Sequence, residues 1–138
     1  MRIAGLGFRA AVTSGSLQAA LEAALAATDD RRKVTALATA EDKADAAALL
    51  ALASHLRVPI IAIPLASIVA QEGTFPLDPD NHHIPARYGN HSLAEAAALA
   101  AVGQGARLLS RRAVSPDGQA TAAIAERSAE RLAERLAE

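Results

Sequence analysis

Two hydrophobic patterns alternate along the chain: short, continuously apolar stretches, and longer stretches in which leucine recurs every three or four residues. The first pattern marks buried strands and the second marks helices laid on a core. Arg2 to Phe8 (RIAGLGF) reads as a buried strand. A loop punctuated by Gly, Ser and Thr, from Arg9 to Ser16, leads into a helix with the stripe Leu17, Leu21, Leu25, Ala20 and Ala24, capped by Ser14 or Ser16. The polar run Asp29 to Lys33 ends that helix in a solvated turn. Val34 to Thr39 reads as a second strand and Ala40 to Asp45 as a polar loop, and Ala46 to Leu56 returns to helical spacing through Leu49, Leu52 and Leu56. Pro59 to Ile63 is a third strand, with the strongest β-branched signal in the chain.

This order implies right-handed crossovers and a sheet covered on both faces. Leu65 to Gln71 reads as a short helix. Gly73 to His91 follows as a long loop holding three of the six prolines, Tyr88 and three of the four histidines. Ser92-Leu93-Ala94-Glu95 is a capping box that opens a helix from Leu93 to Val102, closed by Gly103. Ala106 to Leu109 and Gln119 to Ala125 read as two further strands, antiparallel because the turn Ser115-Pro116-Asp117-Gly118 joins them closely. Glu126 to Glu138 repeats ERxA three times and reads as an amphipathic terminal helix docked by Ala129, Leu132, Ala133 and Leu136. The expectation is one three-layer α/β/α domain over residues 1–125 with a mixed, about five-stranded sheet. Residues 126–138 are its C-terminal helix.

Composition narrows the class. A chain of 138 residues has room for one core, and 37 of them are alanine, so the few Leu, Ile and Val positions must define it. The aromatic side chains are only Phe8, Phe75 and Tyr88, and the net charge is -1 with no long basic run. Both facts disfavour general nucleic-acid binding, which needs a basic face and stacking platforms. Without cysteine there is no disulfide, thiolate nucleophile or Cys-based zinc site, and a cytoplasmic location is the default. The start of the chain lacks a signal-peptide pattern, and the longest apolar run, Val58 to Ala66, is far short of the ~20 residues of a membrane span.

Gly5-Leu6-Gly7-Phe8-Arg9-Ala10 matches the G-x-G-x-x-G/A dinucleotide fingerprint, but Thr13 to Ser16 intervene before the helix. Leu37-Ala38-Thr39 also stand where the ribose-binding acid belongs, so no nicotinamide or flavin cofactor is expected. The same region reads better as an anion site. Thr13 and Ser14 lie at a helix amino terminus with Arg9 nearby, Thr39 and Lys43 follow the second strand, and all five sit at strand carboxyl ends. The competing reading is ordinary capping by Ser and Thr beside solvated cations. His82, His83 and His91 with Asp78 and Asp80 fit no closed metal motif, and no metal is expected. No nucleophile-elbow context supports hydrolysis.

Gly5-Leu6-Gly7-Phe8-Arg9 with Thr13-Ser14, then Leu37-Ala38-Thr39 with Lys43, then Leu52-Ala53 and Val58-Pro59, then Ser92-Leu93-Ala94-Glu95-Ala96-Ala97-Ala98-Leu99, resemble in this order the CobE / CbiG carboxyl-terminal family of cobalamin biosynthesis. The resemblance covers residues 2 to about 125. It implies an α/β/α domain acting in corrin construction, whose ligand is a precorrin-type tetrapyrrole rich in acetate and propionate carboxylates. Gly5, Gly7, Arg9, Thr13, Ser14, Thr39, Lys43 and Ser92 are then the ligand-binding candidates. The glycines would let a flat ring approach the backbone, and the loop Gly73 to His91 could close over it. One implied role is a carrier or accessory factor of the aerobic pathway. The alternative is an enzyme assisting ring-A lactone opening, as in the fused proteins, with Lys43 or a loop histidine as acid or base. Pathway methyltransferases are the implied partners, and the Leu/Ala stripe of the terminal helix offers a second reading, as the contact of a homodimer. Where the family often has lysine, this chain has Arg111-Arg112, which keeps charge but not amine chemistry.

Overall fold

The computed structural model describes residues 2–28, 34–71, 93–109 and 112–127. Among these residues six strands form one sheet: β1 (Arg2–Phe8), β2 (Ala36–Ala40), β3 (Ile60–Ile63), β4 (Ala106–Leu108), β5 (Ala113–Val114) and β6 (Ala120–Arg127). The helices are α1 (Ser14–Ala26), α2 (Ala47–Leu56), α3 (Leu65–Val69) and α4 (Leu93–Val102), with a 3-10 turn at Glu41–Lys43. The strand order is β3-β2-β1-β6-β4, and β5 also pairs with β6. β1, β2 and β3 are parallel, whereas β6 runs antiparallel to β1, β4 and β5. The mixed α/β sheet expected from the sequence is present.

Alternation along the strands builds two cores. Ala4, Leu6, Leu37, Ala122 and Ile124 face one side and pack with Leu17, Ala20 and Leu21 of α1 and Leu49 and Leu52 of α2. Ile3, Ala36, Ala38, Ala40 and Ala125 face the other side and pack with α3 and α4. The chain is therefore three layers deep, and the leucine stripes read in α1 and α2 are the ones that bury.

Particular elements differ from the sequence reading. α1 is capped by Thr13 rather than Ser14 or Ser16: the Thr13 hydroxyl oxygen accepts the Ser16 N–H at 3.1 Å. Strand β5 had no sequence signal, because two residues carry no periodicity. β6 runs through Arg127, two residues into the segment expected to be helical. There Glu126 stands opposite both Arg2 and Arg107, with an Arg107 nitrogen 3.3 Å from its carboxylate, and Arg127 donates to the Val102 carbonyl at the end of α4. These cross-strand and capping bonds hold the charged pair in extended backbone. The loop Gly73 to His91, Ser92 of the capping box, and residues 128–138 lie outside the described residues.

Candidate functional site

Beyond Gly5 and Ala38 the β1–β2 ladder stops, although β1 continues to Phe8 and β2 to Ala40. The two strands part at their carboxyl ends, the place where open parallel sheets bind ligands. Side chains from the neighbouring elements reach successive carbonyls of β1, Thr39 and Lys43 from β2 and the turn that follows it, and Thr121 from β6 on the opposite edge. Thr39 donates to Leu6 O at 2.8 Å, Thr121 to Gly7 O at 3.3 Å and the Lys43 ammonium to Phe8 O at 2.5 Å. The Lys43 nitrogen also lies 5.0 Å from the centre of the Phe8 ring, within cation–π range.

The second cluster stands at the start of α1. Asp117, on the turn between β5 and β6, accepts hydrogen bonds from Ser115 Oγ at 2.5 Å, from Gln119 N at 3.1 Å and from Ser16 Oγ. Because the single Ser16 hydroxyl proton goes to Asp117, the Thr13 hydroxyl donates in the 3.0 Å Thr13–Ser16 contact. These donors favour the ionised form, the Ser115 hydroxyl most, then Ser16 and the Gln119 amide, and lower the Asp117 carboxyl to about 2. The negative charge at this helix terminus is thus supplied by the protein itself. The clusters meet at the end of β1, where Arg9 N donates to Gln119 O at 3.0 Å.

The candidate residues fall into separate groups. Arg9, Thr13 and Ser14 are exposed and Lys43 half-buried along this rim. Thr39 is fully buried and its hydroxyl donates to Leu6 O, which ties β2 to β1. Gly5 is packed against α4. A Cβ there would overlap the Ala94 carbonyl oxygen and lie 2.6 Å from Ala98 N, so its missing side chain admits the backbone of α4, which occupies that face of Gly5. At Gly7 a Cβ would lie 2.8 Å from Thr121 Oγ1 and 3.5 Å from Leu93 Cβ, the same packing under the first turn of α4. Ser92 and the loop histidines lie outside the described residues. Among the described residues no cluster of His, Cys, Asp and Glu could hold a metal ion. Nor is any described helix long and apolar enough to cross a membrane.

Asp117 is the residue that sequence reading missed. An aspartate in a Ser-Pro-Asp-Gly turn carries no signal of a distant partner, and only the hydroxyl-rich start of α1, Thr13-Ser14-Gly15-Ser16, hints that a carboxylate docks there. Glu41, Asp42 and Asp45 add exposed acids just beyond β2, so the rim mixes both signs of charge.

The model of the family described as Cobalamin synthesis G C-terminus matches residues 2–125. The chain belongs to the CbiG C-terminal family. Among solved structures, the cobalamin biosynthesis protein chiG from Agrobacterium tumefaciens is 37% identical, with a TM-score of 0.69 over 93% of this chain and 99% of that one. CobE, a protein from the cobalamin (vitamin B12) biosynthetic pathway, is 30% identical, with a TM-score of 0.75 over 91% of this chain and 89% of that one. A cobalamin biosynthesis protein G homolog from Sulfolobus solfataricus, 18% identical, shares the fold with a TM-score of 0.61, over 92% of this chain and 37% of that one. A search of curated proteins finds no match. This member of the CbiG C-terminal family is a cobalamin biosynthesis protein of the CbiG/CobE type.

Proposed function

We propose that the chain binds a precorrin-type tetrapyrrole at the carboxyl ends of β1 and β2 and serves corrin construction in the cytoplasm as a carrier or accessory protein. The observation that carries this reading is the end of the β1–β2 ladder at Gly5 and Ala38, with exposed Arg9 following β1 and the Lys43 ammonium bonded to the last carbonyl of that strand. Corrin precursors present acetate and propionate carboxylates around an apolar macrocycle. Arg9 offers such groups a forked donor, and Lys43 fixes a point charge beside an aromatic ring. Pathway methyltransferases, which act on the same ligand, are the natural partners of a carrier.

The test is a titration of the purified protein with hydrobyrinic acid, a corrin with free carboxylates, followed by the visible spectrum of the ligand. Saturable change below about 50 μM, weakened by added salt and by Arg9→Ala, supports the reading. A flat titration at that concentration overturns it. Release of acetaldehyde from a lactone-bearing cobalt-precorrin would instead assign the ring-A hydrolase activity.

A further inference from the structure

The Asp117 carboxylate does two separate things. One oxygen accepts from Ser115 Oγ and Gln119 N, closing the turn on itself as aspartates commonly do. The other reaches across the molecule to Ser16 Oγ on α1, a contact the turn does not need. Ser16 is buried, and its backbone N–H is held by Thr13. The same turn receives the Arg9 N–H on Gln119 O, and within the loop Val12 N donates to Arg9 O at 3.0 Å. The loop from Arg9 to Thr13 is therefore tied at both ends to one turn.

We infer that Asp117 is a positioning residue of the tetrapyrrole site, setting where Arg9 and the start of α1 stand without touching the ligand. The inference rests on the proposed binding at this rim. A cation on a five-residue loop gains little from one exposed carboxylate partner unless its backbone is already in place, because ordering the loop opposes binding. The Asp117 strap orders that loop before the ligand arrives.

The experiment compares wild type, Asp117→Ala, Asp117→Asn and Ser16→Ala by hydrobyrinic acid titration and by amide hydrogen exchange in the free proteins. In Asp117→Ala, exchange at the Arg9 and Ser16 amides should quicken about tenfold, and affinity for hydrobyrinic acid should fall about tenfold. Asp117→Asn should restore most of both, since the side-chain amide still accepts from Gln119 N and can donate to Ser16 Oγ. Ser16→Ala cuts only the α1 arm and should fall between them. Wild-type binding with Asp117→Ala unchanged in affinity overturns the inference, as does an affinity loss with unchanged exchange at Arg9. Failure of the wild type to bind overturns the reading of the rim itself. Asp117 is exposed on a turn, so the variants should fold, and Ser16→Ala decides the matter if Asp117→Ala does not.

Discussion

The two faces of the sheet are covered in different ways. Toward α1 and α2 the strands present Leu6, Leu37 and Ile124, and the helices answer with Leu17, Leu21, Leu49 and Leu52. This face joins by interlocking side chains, and α1 and α2 keep an outer side in water. Toward α4 the strands present Gly5 and Gly7 with Ile3, Ala36, Ala38, Ala40, Ile63 and Ala125, and α4 answers with Leu93, Leu99 and the fully buried Ala94, Ala96, Ala97 and Ala98. This face joins at the level of the backbone. Alanine lines both layers, but only toward α4 does it stand beside Gly5 and Gly7, where the helix backbone comes close to the sheet and Ile3, Leu93 and Leu99 fill in around the contact.

Gly5→Ala tests that difference most severely. The added methyl meets helix backbone that cannot rotate away, so α4 must lift from the sheet, with an expected loss of about 4 kcal/mol in chemical denaturation. A loss under about 1 kcal/mol would remove the distinction between the faces. On the other face, Leu52→Ala, in a fully packed side-chain environment, should destabilise by about 3 kcal/mol through lost burial and a cavity. Equal insensitivity to both changes would mean that neither layer is close-packed.

Because α1 and α2 stand partly in water, their ends need separate fixing. The C-cap of α2 is Arg57, held at φ 59°, a left-handed conformation that a side chain disfavours. Arg57→Gly should relieve it and stabilise the protein by about 0.5 kcal/mol after the entropy glycine adds to the unfolded chain, measurable by urea unfolding. At the start of α1 the Asp117 strap has a pH signature. Its folded-state value, about 2, lies below the ordinary 3.8, so the contribution is present above pH 4 and is lost as pH falls through about 2. Carbon-detected titration of the Asp117 carboxyl should give a midpoint near 2 in the wild type, and Ser16→Ala should move it upward. An unmoved midpoint in Ser16→Ala would mean that the strap does not reach α1.

Legibility in the sequence followed the same division. Leucine stripes at helical spacing marked α1 and α2 with their buried faces, and the close turn at Ser115 to Gly118 set the antiparallel return. The layer under α4 was harder to read. Gly5 and Gly7 carry one signal, a backbone something must approach, and nothing local tells whether that is a ligand or a helix nearly ninety residues away. Thr39 shows the same limit, since a hydroxyl at a strand end looks identical whether it faces a ligand or bridges to Leu6 O. At the rim, Arg9, Thr13 and Lys43 were legible by type and position, while Asp117 was not, because its partner Ser16 lies 101 residues away. Glu126 and Arg127 followed the ERxA rhythm of the terminal segment, but cross-strand partners placed them in β6.

The central claim is that both faces serve packing and that the opening between β1 and β2 serves binding. Mapping backbone amide shifts in the labelled protein during a titration with hydrobyrinic acid tests it most directly. The account predicts shifts confined to the carboxyl-end rim, in Phe8 to Ser16, Ala40 to Ala46 and Asp117 to Gln119, with the amino-end charges at Arg2, Arg107 and Glu126 undisturbed. Shifts centred on that amino end, or none at saturating ligand, would contradict it.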